Sequence, residues 1–254
     1  MSGLRGYVGD VDRSSVRGSR MRLRLLGGFQ LEREGRPVPV PEGSQRLITF
    51  LSLRERSLSR QIVATHLWPE ATQARALASL RSSLARLPIE ARGSLAATSQ
   101  ELGLSDHVSV DLRGARILAQ QLLEPHASSP ADLGANAIST LSAELLPDSY
   151  DDWALIEAEE WRQLRLHALE ALADRLSDSG RYGEAAAAGL AAVRAEPLRE
   201  SPRATLINVH LAEGNPTEAL REFSRYDQLL SLELGVGPTA RLRSLVADLD
   251  AAGR

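Results

Sequence analysis

The sequence predicts an α+β domain followed by an all-α domain, and three observations support this division. Stretches that alternate apolar and polar residues occur in the first half of the chain, whereas beyond Asp132 the apolar spacing is helical throughout. An internal repeat with a period of 34 residues occurs in the second half. Residues 1–125 carry 18 Arg and 12 acidic residues, a net charge of +6, whereas residues 126–254 carry 12 Arg and 21 acidic residues, a net charge of −9. The two halves are therefore expected to meet different partners.

The chain of 254 residues is long enough for two domains of ordinary size. Residues 1–20 are rich in Gly, Ser and Arg and show no apolar period, which predicts a disordered tail. We assign residues 21–123 to the first domain, residues 124–131 to a linker and residues 132–250 to the second domain.

The first domain is predicted to begin with short strands. Residues 21–40 alternate apolar and polar side chains around a Gly-Gly pair at 27–28 and a Glu-Gly pair at 34–35. This pattern indicates antiparallel strands joined by tight turns. Residues 44–56 follow with apolar residues at helical spacing and predict the first helix.

A short capped helix is predicted between Leu58 and Trp68. Ser59 is placed as its N-cap, because a serine hydroxyl at that position accepts a hydrogen bond from a backbone N–H of the first turn. Ile62, Val63 and Leu67 form its predicted buried side. Pro and Glu at positions 69 and 70 then break the helix.

Residues 71–87 predict a longer amphipathic helix. At about 100° per residue, four leucines share one narrow stripe, while two arginines and two serines share the opposite one. The inward residues are Leu77, Leu80, Leu84 and Leu87, and the outward residues are Arg75, Ser79, Ser82 and Arg86. Such a helix is more often a solvated surface helix than a DNA-reading one. The capped helix and the break before it favour a helix-turn-helix, in which the second helix enters the major groove.

A hairpin is predicted between residues 94 and 110, with its turn from Glu101 to Asp106. Short strands, three helices and a hairpin in this order predict a winged helix-turn-helix, with the hairpin as the wing. The predicted turn carries two carboxylates and no Arg, so we expect weak wing contacts with DNA. Residues 113–123 predict a helix that leaves this domain.

The second domain is predicted to consist of helix pairs. Residues 133–146 and 152–179 have helical apolar spacing, with Asp151 or Asp152 as the cap of the second helix. The 34-residue repeat pairs Leu172 with Leu206, Gly180 with Gly214, Glu184 with Glu218 and Ala185 with Ala219. Small residues between helices and a Gly at the end of the first helix predict tetratricopeptide-like repeats. Their acidic surface is predicted to bind protein.

Several classes of function lack support in the sequence. The absence of Cys excludes disulfides and thiol nucleophiles, and no pair among the five His has metal-ligand spacing. No phosphate-cradling loop, nucleophile elbow or carboxylate pair is evident, so we expect no catalytic residue, cofactor or metal and no enzymatic activity. No apolar run of 18 residues is present, so we expect nothing that spans a membrane. The lack of Cys fits the cytoplasm, where the helix-turn-helix interpretation predicts association with the nucleoid. Trp153 and Trp161 are expected to anchor the core.

Residues 67–87, LWPEATQARALASLRSSLARL, and residues 145–239, which begin LLPDSYDDWALIEAEEWRQLRLHALEALADRL, resemble the bacterial transcriptional activator domain proteins. The short members of that family are the antibiotic regulatory proteins of actinomycete type, which carry a winged helix of the response-regulator effector type. The resemblance covers residues 21–249. Its motifs are Asp-Asp-Trp at 151–153, Gln-Leu-Arg at 163–165, Glu-Pro-Leu-Arg-Glu at 196–200 and Glu-Leu-Gly at 233–235.

The resemblance implies an activator that binds direct repeats near a promoter, as a homodimer, and recruits RNA polymerase through sigma factor and other subunits. Members commonly act within one biosynthetic gene cluster. Carried onto this chain, the resemblance implies base or phosphate contacts from the helix over 71–87 and a phosphate contact from the residue beside Ser59. The implied DNA-binding residues are Arg60, Arg75, Ser79, Arg81, Ser82 and Arg86.

Two other functions remain open at the level of the sequence. The acidic turn of the predicted wing is compatible with a protein-interaction adaptor whose winged helix no longer binds DNA. The helical domain is also compatible with sensing a small molecule, which the sequence neither supports nor excludes. For the activator, four or five phosphate contacts predict a log–log salt slope of about −3 to −5.

Overall fold

The computed structural model describes residues 21–124 and 134–252. The predicted tail at 1–20 lies outside the described residues, as does the predicted linker except for Glu124. The strands of the described residues are β1 (Met21–Arg24), β2 (Gln30–Arg33), β3 (Arg36–Pro37), β4 (Leu58–Ser59), β5 (Leu95–Ala97), β6 (Glu101–Leu104) and β7 (Val108–Val110). The helices of the first half are α1 (Glu42–Ser52), α2 (Arg60–Leu67), α3 (Gln73–Ala85) and α4 (Asp111–Leu123). Those of the second half are α5 (Ala135–Ser142), α6 (Asp152–Asp178), α7 (Tyr182–Ala195), α8 (Glu200–Glu213), α9 (Pro216–Leu234) and α10 (Ala240–Ala252).

The chain divides into two compact units. Among the described residues, the first contains 21–23 and 31–109, and the second contains 24–30, 110–124 and 134–252. The architecture is therefore a small region of sheet and helices followed by a largely helical region, as the sequence predicted. Within the described ranges, no helix combines the length and the apolar character needed to cross a membrane.

The first unit contains two small sheets and the helices α1, α2 and α3. One sheet has the strand order β3-β2-β1-β7, and the other has the order β4-β6-β5. The pairing of β2 with β3 and of β5 with β6 is antiparallel, which is the arrangement that the alternating pattern predicted. Large side chains with almost no exposed surface fill the core, and they include Leu23, Leu31, Leu47, Ile48, Phe50, Leu67, Leu80 and Leu102.

The hairpin lies in a different register from the one predicted. Its turn is Thr98–Gln100, and Glu101–Leu104 forms strand β6 where the sequence suggested a polar turn. Leu102 is completely buried and pairs with both Leu58 and Ala97 across the sheet. Because this leucine requires a buried strand position, the chain turns before it and not after it.

Gly103 allows β6 to pack closely against the chain that leads into β4. A Cβ atom at Gly103 would lie 2.4 Å from the hydroxyl oxygen of Ser57 and 3.2 Å from its Cα. Only glycine allows the chain before β4 to lie this close to β6. Gly103, which lies within the predicted turn, is therefore required by close packing of two strands.

The second unit begins where a loop meets the start of α4. The backbone N–H groups of Leu25 and Leu26 donate to the two carboxylate oxygens of Asp111, at 2.9 and 3.2 Å. The N–H of Gly27 donates to the carbonyl oxygen of Glu144 at 2.7 Å. The loop is thus fixed by hydrogen bonds of its own backbone.

Helices α6 to α9 repeat one pair of helices twice, as the 34-residue period predicted. Gly180 and Gly214 end the first helix of each pair with φ of +74° and +83°. The next residue in each pair donates its N–H to an equivalent carbonyl, Arg181 to Leu176 at 2.9 Å and Asn215 to His210 at 2.8 Å. Positions matched by the repeat are also buried alike, with 0% exposure for Leu172, Ala185, Leu206 and Ala219.

The ends of this helical region are closed by aromatic side chains and by α10. Trp161 is fully buried, and its indole N–H donates to the carbonyl oxygen of Ala143 at 2.9 Å, which confirms it as a core anchor. Trp153 is only partly buried. At the other end, a cluster of Ile207, Ala219, Tyr226, Leu230, Leu242 and Val246 joins α8 and α9 to α10.

Candidate nucleic-acid interface

Helix α3 is positioned by small residues as well as by leucine. Its buried residues are Ala76, Leu80 and Ser83, while Leu77 and Leu84, which were expected to face inward, are only partly buried. At about 100° per residue, the observed buried face is centred roughly 50° away from the predicted leucine stripe. The helix is therefore rotated relative to the prediction.

The rotation follows from a close approach between α1 and α3. The hydroxyl of Ser44 is buried and donates to the carbonyl oxygen of Ser83 at 2.8 Å. A Cβ atom at Gly43 would lie only 3.5 Å from the hydroxyl oxygen of Ser83. Small side chains at these positions let the two helices pack closely, so a serine replaces a leucine on the buried face.

The opposite face of α3 is open to solvent. Arg75, Arg81, Ser82 and Arg86 are exposed, whereas Ser79 is partly buried at the edge of this face. Ala74, Ala78 and Ala85 lie between the arginines and are exposed as well. We call the exposed residues Arg75, Ala78, Arg81, Ser82, Ala85 and Arg86 the α3 face.

The guanidinium groups of the α3 face have no binding partner among the described residues. The side chains of Arg75, Arg81 and Arg86 make no hydrogen bond, ion pair or ring contact with any residue in the described ranges 21–124 and 134–252. The sequence from 71 to 89 contains no acidic residue, and the nearest carboxylates along the chain are those of Glu70 and Glu90. The α3 face therefore combines three available guanidinium groups with small alanine side chains that permit close approach of a partner.

Helix α2 has the cap that the sequence predicted. The hydroxyl oxygen of Ser59 accepts a hydrogen bond from the N–H of Ile62 at 3.3 Å, so the predicted N-cap is confirmed. Val63, Ala64 and Leu67 are buried, but Ile62 is 44% exposed, so its predicted place on the buried side was wrong. Ile62 lies one turn from the cap and on the solvent side of the helix.

Arg60 is bound to the hairpin. Its guanidinium Nε and Nη2 atoms donate to the carbonyl oxygen of Thr98 at 3.0 and 2.8 Å, and its backbone N–H donates to the carbonyl oxygen of Gln100 at 2.9 Å. The residue predicted to contact phosphate is thus joined to the hairpin turn. Sequence analysis missed Thr98, and the signal that indicates it is a Thr-Ser-Gln turn between two short alternating segments.

The hairpin turn itself carries no charge. The hydroxyl oxygen of Thr98 accepts hydrogen bonds from the N–H groups of Gln100 and Glu101, at 3.2 and 2.9 Å, which closes the turn. Ser99 and Gln100 are exposed at its tip. Asp106, which was assigned to the turn, lies beyond the far end of β6, and Glu101 is the first residue of that strand. The acidic wing turn predicted from the sequence was therefore wrong.

The arginines of the second unit have a different environment. Arg165 is buried and donates to the carbonyl oxygen of Ser142 at 3.0 Å, and burial lowers its pKa. The pair Arg203 and Glu222 is separated by 2.9 Å and is almost inaccessible to solvent. Arg199 donates to the side chains of Gln163 and Ser201. The motif residues of this unit thus hold helices together.

An exposed apolar cluster begins α6 and is surrounded by acidic residues. Tyr150, Leu155 and Ile156 are 87%, 50% and 61% exposed. The neighbouring acidic residues that are exposed are Asp148, Asp152, Glu159 and Glu160. Within the residues that the structure describes, no group of three His, Asp or Glu side chains is arranged to hold a metal ion.

Comparison with known proteins identifies the family. The family model described as "Bacterial transcriptional activator domain" matches residues 110–249, which is more than half of the chain. No curated protein matches the chain. The structure titled Mycobacterium tuberculosis EmbR in complex with low affinity phosphopeptide is similar to this fold, with a TM-score of 0.64 and 24% sequence identity. The similarity covers 92% of this chain and 66% of that chain. This chain therefore belongs to the bacterial transcriptional activator domain family.

Proposed function

We propose that this protein is a sequence-specific DNA-binding transcriptional activator whose first unit is a winged helix-turn-helix. The observation that carries the proposal is the α3 face, where Arg75, Arg81 and Arg86 are exposed and have no partner among the described residues. Unpaired cations on one rigid helix attract a phosphate backbone. Family membership supports the same conclusion.

In this proposal α3 lies in the major groove. It has 13 residues and is therefore about 20 Å long, and Ala78 and Ala85 leave room for base edges to approach. Guanidinium groups bind guanine or phosphate through two hydrogen bonds, and the hydroxyls of Ser79 and Ser82 bind phosphate or base edges. Because α3 is fixed against α1 by buried contacts, these groups need little further ordering on binding.

The adaptor alternative has lost the observation that favoured it. That reading depended on a wing turn with two carboxylates, whereas the observed turn, Thr98–Gln100, has none. A neutral turn removes a source of repulsion from phosphate. We therefore retain the DNA-binding reading and propose a binding protein, not an enzyme.

We further propose that the second unit recruits RNA polymerase, including its sigma factor. The apolar cluster of Tyr150, Leu155 and Ile156 together with its acidic border fits a partner surface that is apolar at its centre and basic at its edge. Binding of a homodimer to direct repeats near a promoter would place this unit beside polymerase. The site of action is the nucleoid in the cytoplasm, and a biosynthetic gene cluster is the proposed target.

The experiment begins with genomic footprinting of the tagged protein, which yields the operator and its half-site spacing. Affinity for that operator is then measured for the wild type and for the double variant Arg75→Ala and Arg86→Ala. Loss of two guanidinium contacts is expected to weaken binding by about 100-fold or more. Helicity should be unchanged, because both side chains are exposed and neither guanidinium has a hydrogen-bond or ion-pair partner among the described residues.

A matched control is Arg194→Ala with Arg241→Ala in the second unit, since both arginines are exposed and have no partner among the described residues. This variant should bind the operator like the wild type. In a transcription assay, Tyr150→Ala with Ile156→Ser should keep the affinity and lose activation, whereas Leu232→Ser, at an equally exposed apolar residue, should not. Unaltered operator affinity in the α3 variant would contradict the assignment of DNA binding to the α3 face, and the absence of any footprint for the wild type would support the adaptor.

A further inference from the structure

The start of α2 and the tip of the hairpin are joined by three groups of hydrogen bonds. The first is the pair of bonds from the Arg60 guanidinium to the Thr98 carbonyl oxygen, at 3.0 and 2.8 Å. The second is the bond from the Arg60 backbone N–H to the Gln100 carbonyl oxygen, at 2.9 Å. The third is the antiparallel pairing of β4 with β6, in which Ser59 lies opposite Glu101.

The hairpin is anchored mainly through one of its two strands. Strand β6 pairs with β4 and buries Leu102, whereas β5 is the outer strand of this three-stranded sheet, with Ala96 and Ala97 exposed and Leu95 only partly buried. An edge strand that buries so little apolar surface does little to fix the turn. The orientation of its tip therefore depends strongly on the bonds from Arg60, which hold the turn on the side of the hairpin that faces α2.

The geometry also explains why this residue is an arginine. Two nitrogen atoms of one planar guanidinium donate to the same carbonyl oxygen, which a lysine ammonium cannot reproduce. The groups at the tip that remain exposed are the hydroxyl of Ser99 and the amide of Gln100, both neutral hydrogen-bonding groups.

We infer that Arg60 is a positioning residue that holds the hairpin tip against DNA, and that Ser99 and Gln100 make neutral hydrogen bonds to the sugar–phosphate backbone beside the groove occupied by α3. This inference rests on the proposed function. It assigns Arg60 a role through the hairpin in place of the direct phosphate contact that the family resemblance implied. It also assigns the hairpin a contact site that contains no cation.

The test compares Arg60→Lys and Arg60→Ala with the wild type. If Arg60 acts through the bidentate contact, both substitutions release the turn, and amide exchange of Gln100 and Glu101 in the free protein rises about tenfold. Operator affinity should fall about tenfold for both, since a released hairpin must be ordered again on binding. Hydroxyl-radical footprints should lose protection at the flank and keep it where α3 binds.

The control variant is Arg56→Ala, which removes an exposed arginine from the same unit that has no partner among the described residues. It should leave both exchange and footprint unchanged. If Arg60→Lys keeps wild-type exchange and affinity, Arg60 acts as a charge, and the inference is overturned.

A second variant tests the contact without disturbing the bonds from Arg60. Ser99→Ala with Gln100→Ala should leave amide exchange unchanged, remove the flanking protection and weaken binding by about tenfold. Wild-type affinity for this variant would overturn the inference and leave the proposed function intact. Failure of the wild type to bind any operator would overturn both.

Discussion

The arginines of the α3 face and the arginines of the second unit are the same residue type in two different environments. On α3, Arg75, Arg81 and Arg86 have no partner among the described residues. In the second unit, most arginines bind a carboxylate or a carbonyl, as Arg116 does with Glu157 at 2.8 Å. Others of this kind are Arg162, Arg165, Arg175, Arg181, Arg199, Arg203, Arg221, Arg225 and Arg243.

The difference shows why net charge alone does not identify a binding surface. The half of the chain with 12 Arg pairs most of them with carboxylate or carbonyl oxygens, some between helices and some within one helix. The half with 18 Arg contains a helix without nearby carboxylates in sequence, so its guanidinium groups stay available. Removing an arginine should therefore cost stability in one unit and DNA affinity in the other.

The largest effect is expected from Arg203→Met in the second unit. The side chains of Arg203 and Glu222 are 11% and 6% exposed, and the guanidinium also lies over the ring of Tyr226 at 5.6 Å. Removing the arginine leaves a buried carboxylate with only one remaining partner, Arg225. The free energy of unfolding should fall by about 3 kcal/mol, measured by urea denaturation.

The comparison for this prediction is Arg225→Met, which removes the exposed partner of the same Glu222. Its cost should stay below about 1 kcal/mol, because the Arg225 side chain is 64% exposed and its charge is screened by solvent, and because Glu222 keeps its buried partner Arg203. Both variants, once folded, should bind the operator like the wild type. Equal destabilisation by the two substitutions would contradict the assignment of a buried structural role to Arg203.

A smaller effect is expected from Arg81→Ala on α3, and it concerns operator affinity rather than the free energy of unfolding. Loss of one phosphate contact should weaken operator binding by about tenfold at physiological salt and make the log–log salt slope shallower by about 0.9. The free energy of unfolding should change by less than about 0.5 kcal/mol, because the side chain is exposed and has no described partner.

Arg194→Ala sharpens this prediction, since Arg194 is exposed and without a described partner but lies in the second unit. Affinity, salt slope and stability should all remain at wild-type values. A drop in affinity equal to that of Arg81→Ala would mean that net charge, and not the α3 face, governs binding. The wild-type slope itself is expected between about −3 and −5.

Much of the fold follows from local sequence signals. The repeat in the second unit was predictable, because Gly180 and Gly214 are required by positive φ and Ala185 and Ala219 by close packing. The N-cap at Ser59 was also predictable, because its hydroxyl oxygen accepts a hydrogen bond from the N–H of Ile62, only three residues away. Signals of this kind act over a few residues and are visible without the tertiary structure.

Features that depend on contacts between distant segments were not predictable. The rotation of α3 depends on Ser44 donating to the carbonyl oxygen of Ser83, 39 residues away, where a small polar side chain is buried instead of a leucine. The hairpin register depends on Gly103 packing against Ser57. In both cases, residues that usually indicate solvent or a turn occupy positions of close approach.

In the candidate site, too, contacts between distant residues could not be predicted from the sequence. The exposure of Arg75, Ser82 and Arg86 agrees with the predicted outward stripe, whereas Ser79 is only partly exposed. The role of these residues and of Arg81 on DNA stays a prediction. The contact of Arg60 with the hairpin joins residues 38 positions apart, and nothing in the local sequence indicates it. Sequence can therefore identify a cationic helix face, whereas the contact between Arg60 and the hairpin requires the structure.

The smallest effect concerns an exposed ion pair of the second unit. Hydrogen bonds from Arg162 and Gln163 lower the pKa of Glu159 from 4.5 to about 2. The folded state binds this proton less readily than the unfolded state, so the stabilisation from Glu159 is present above pH 4.5 and is lost as the pH falls towards 2.

Arg162→Met should return the pKa of Glu159 most of the way to 4.5, as measured by NMR titration of the carboxyl carbon. Arg221→Met, which removes the partner of Glu218, should leave the titration of Glu159 unchanged. A value still near 2 in the Arg162 variant would mean that this arginine does not form the pair with Glu159.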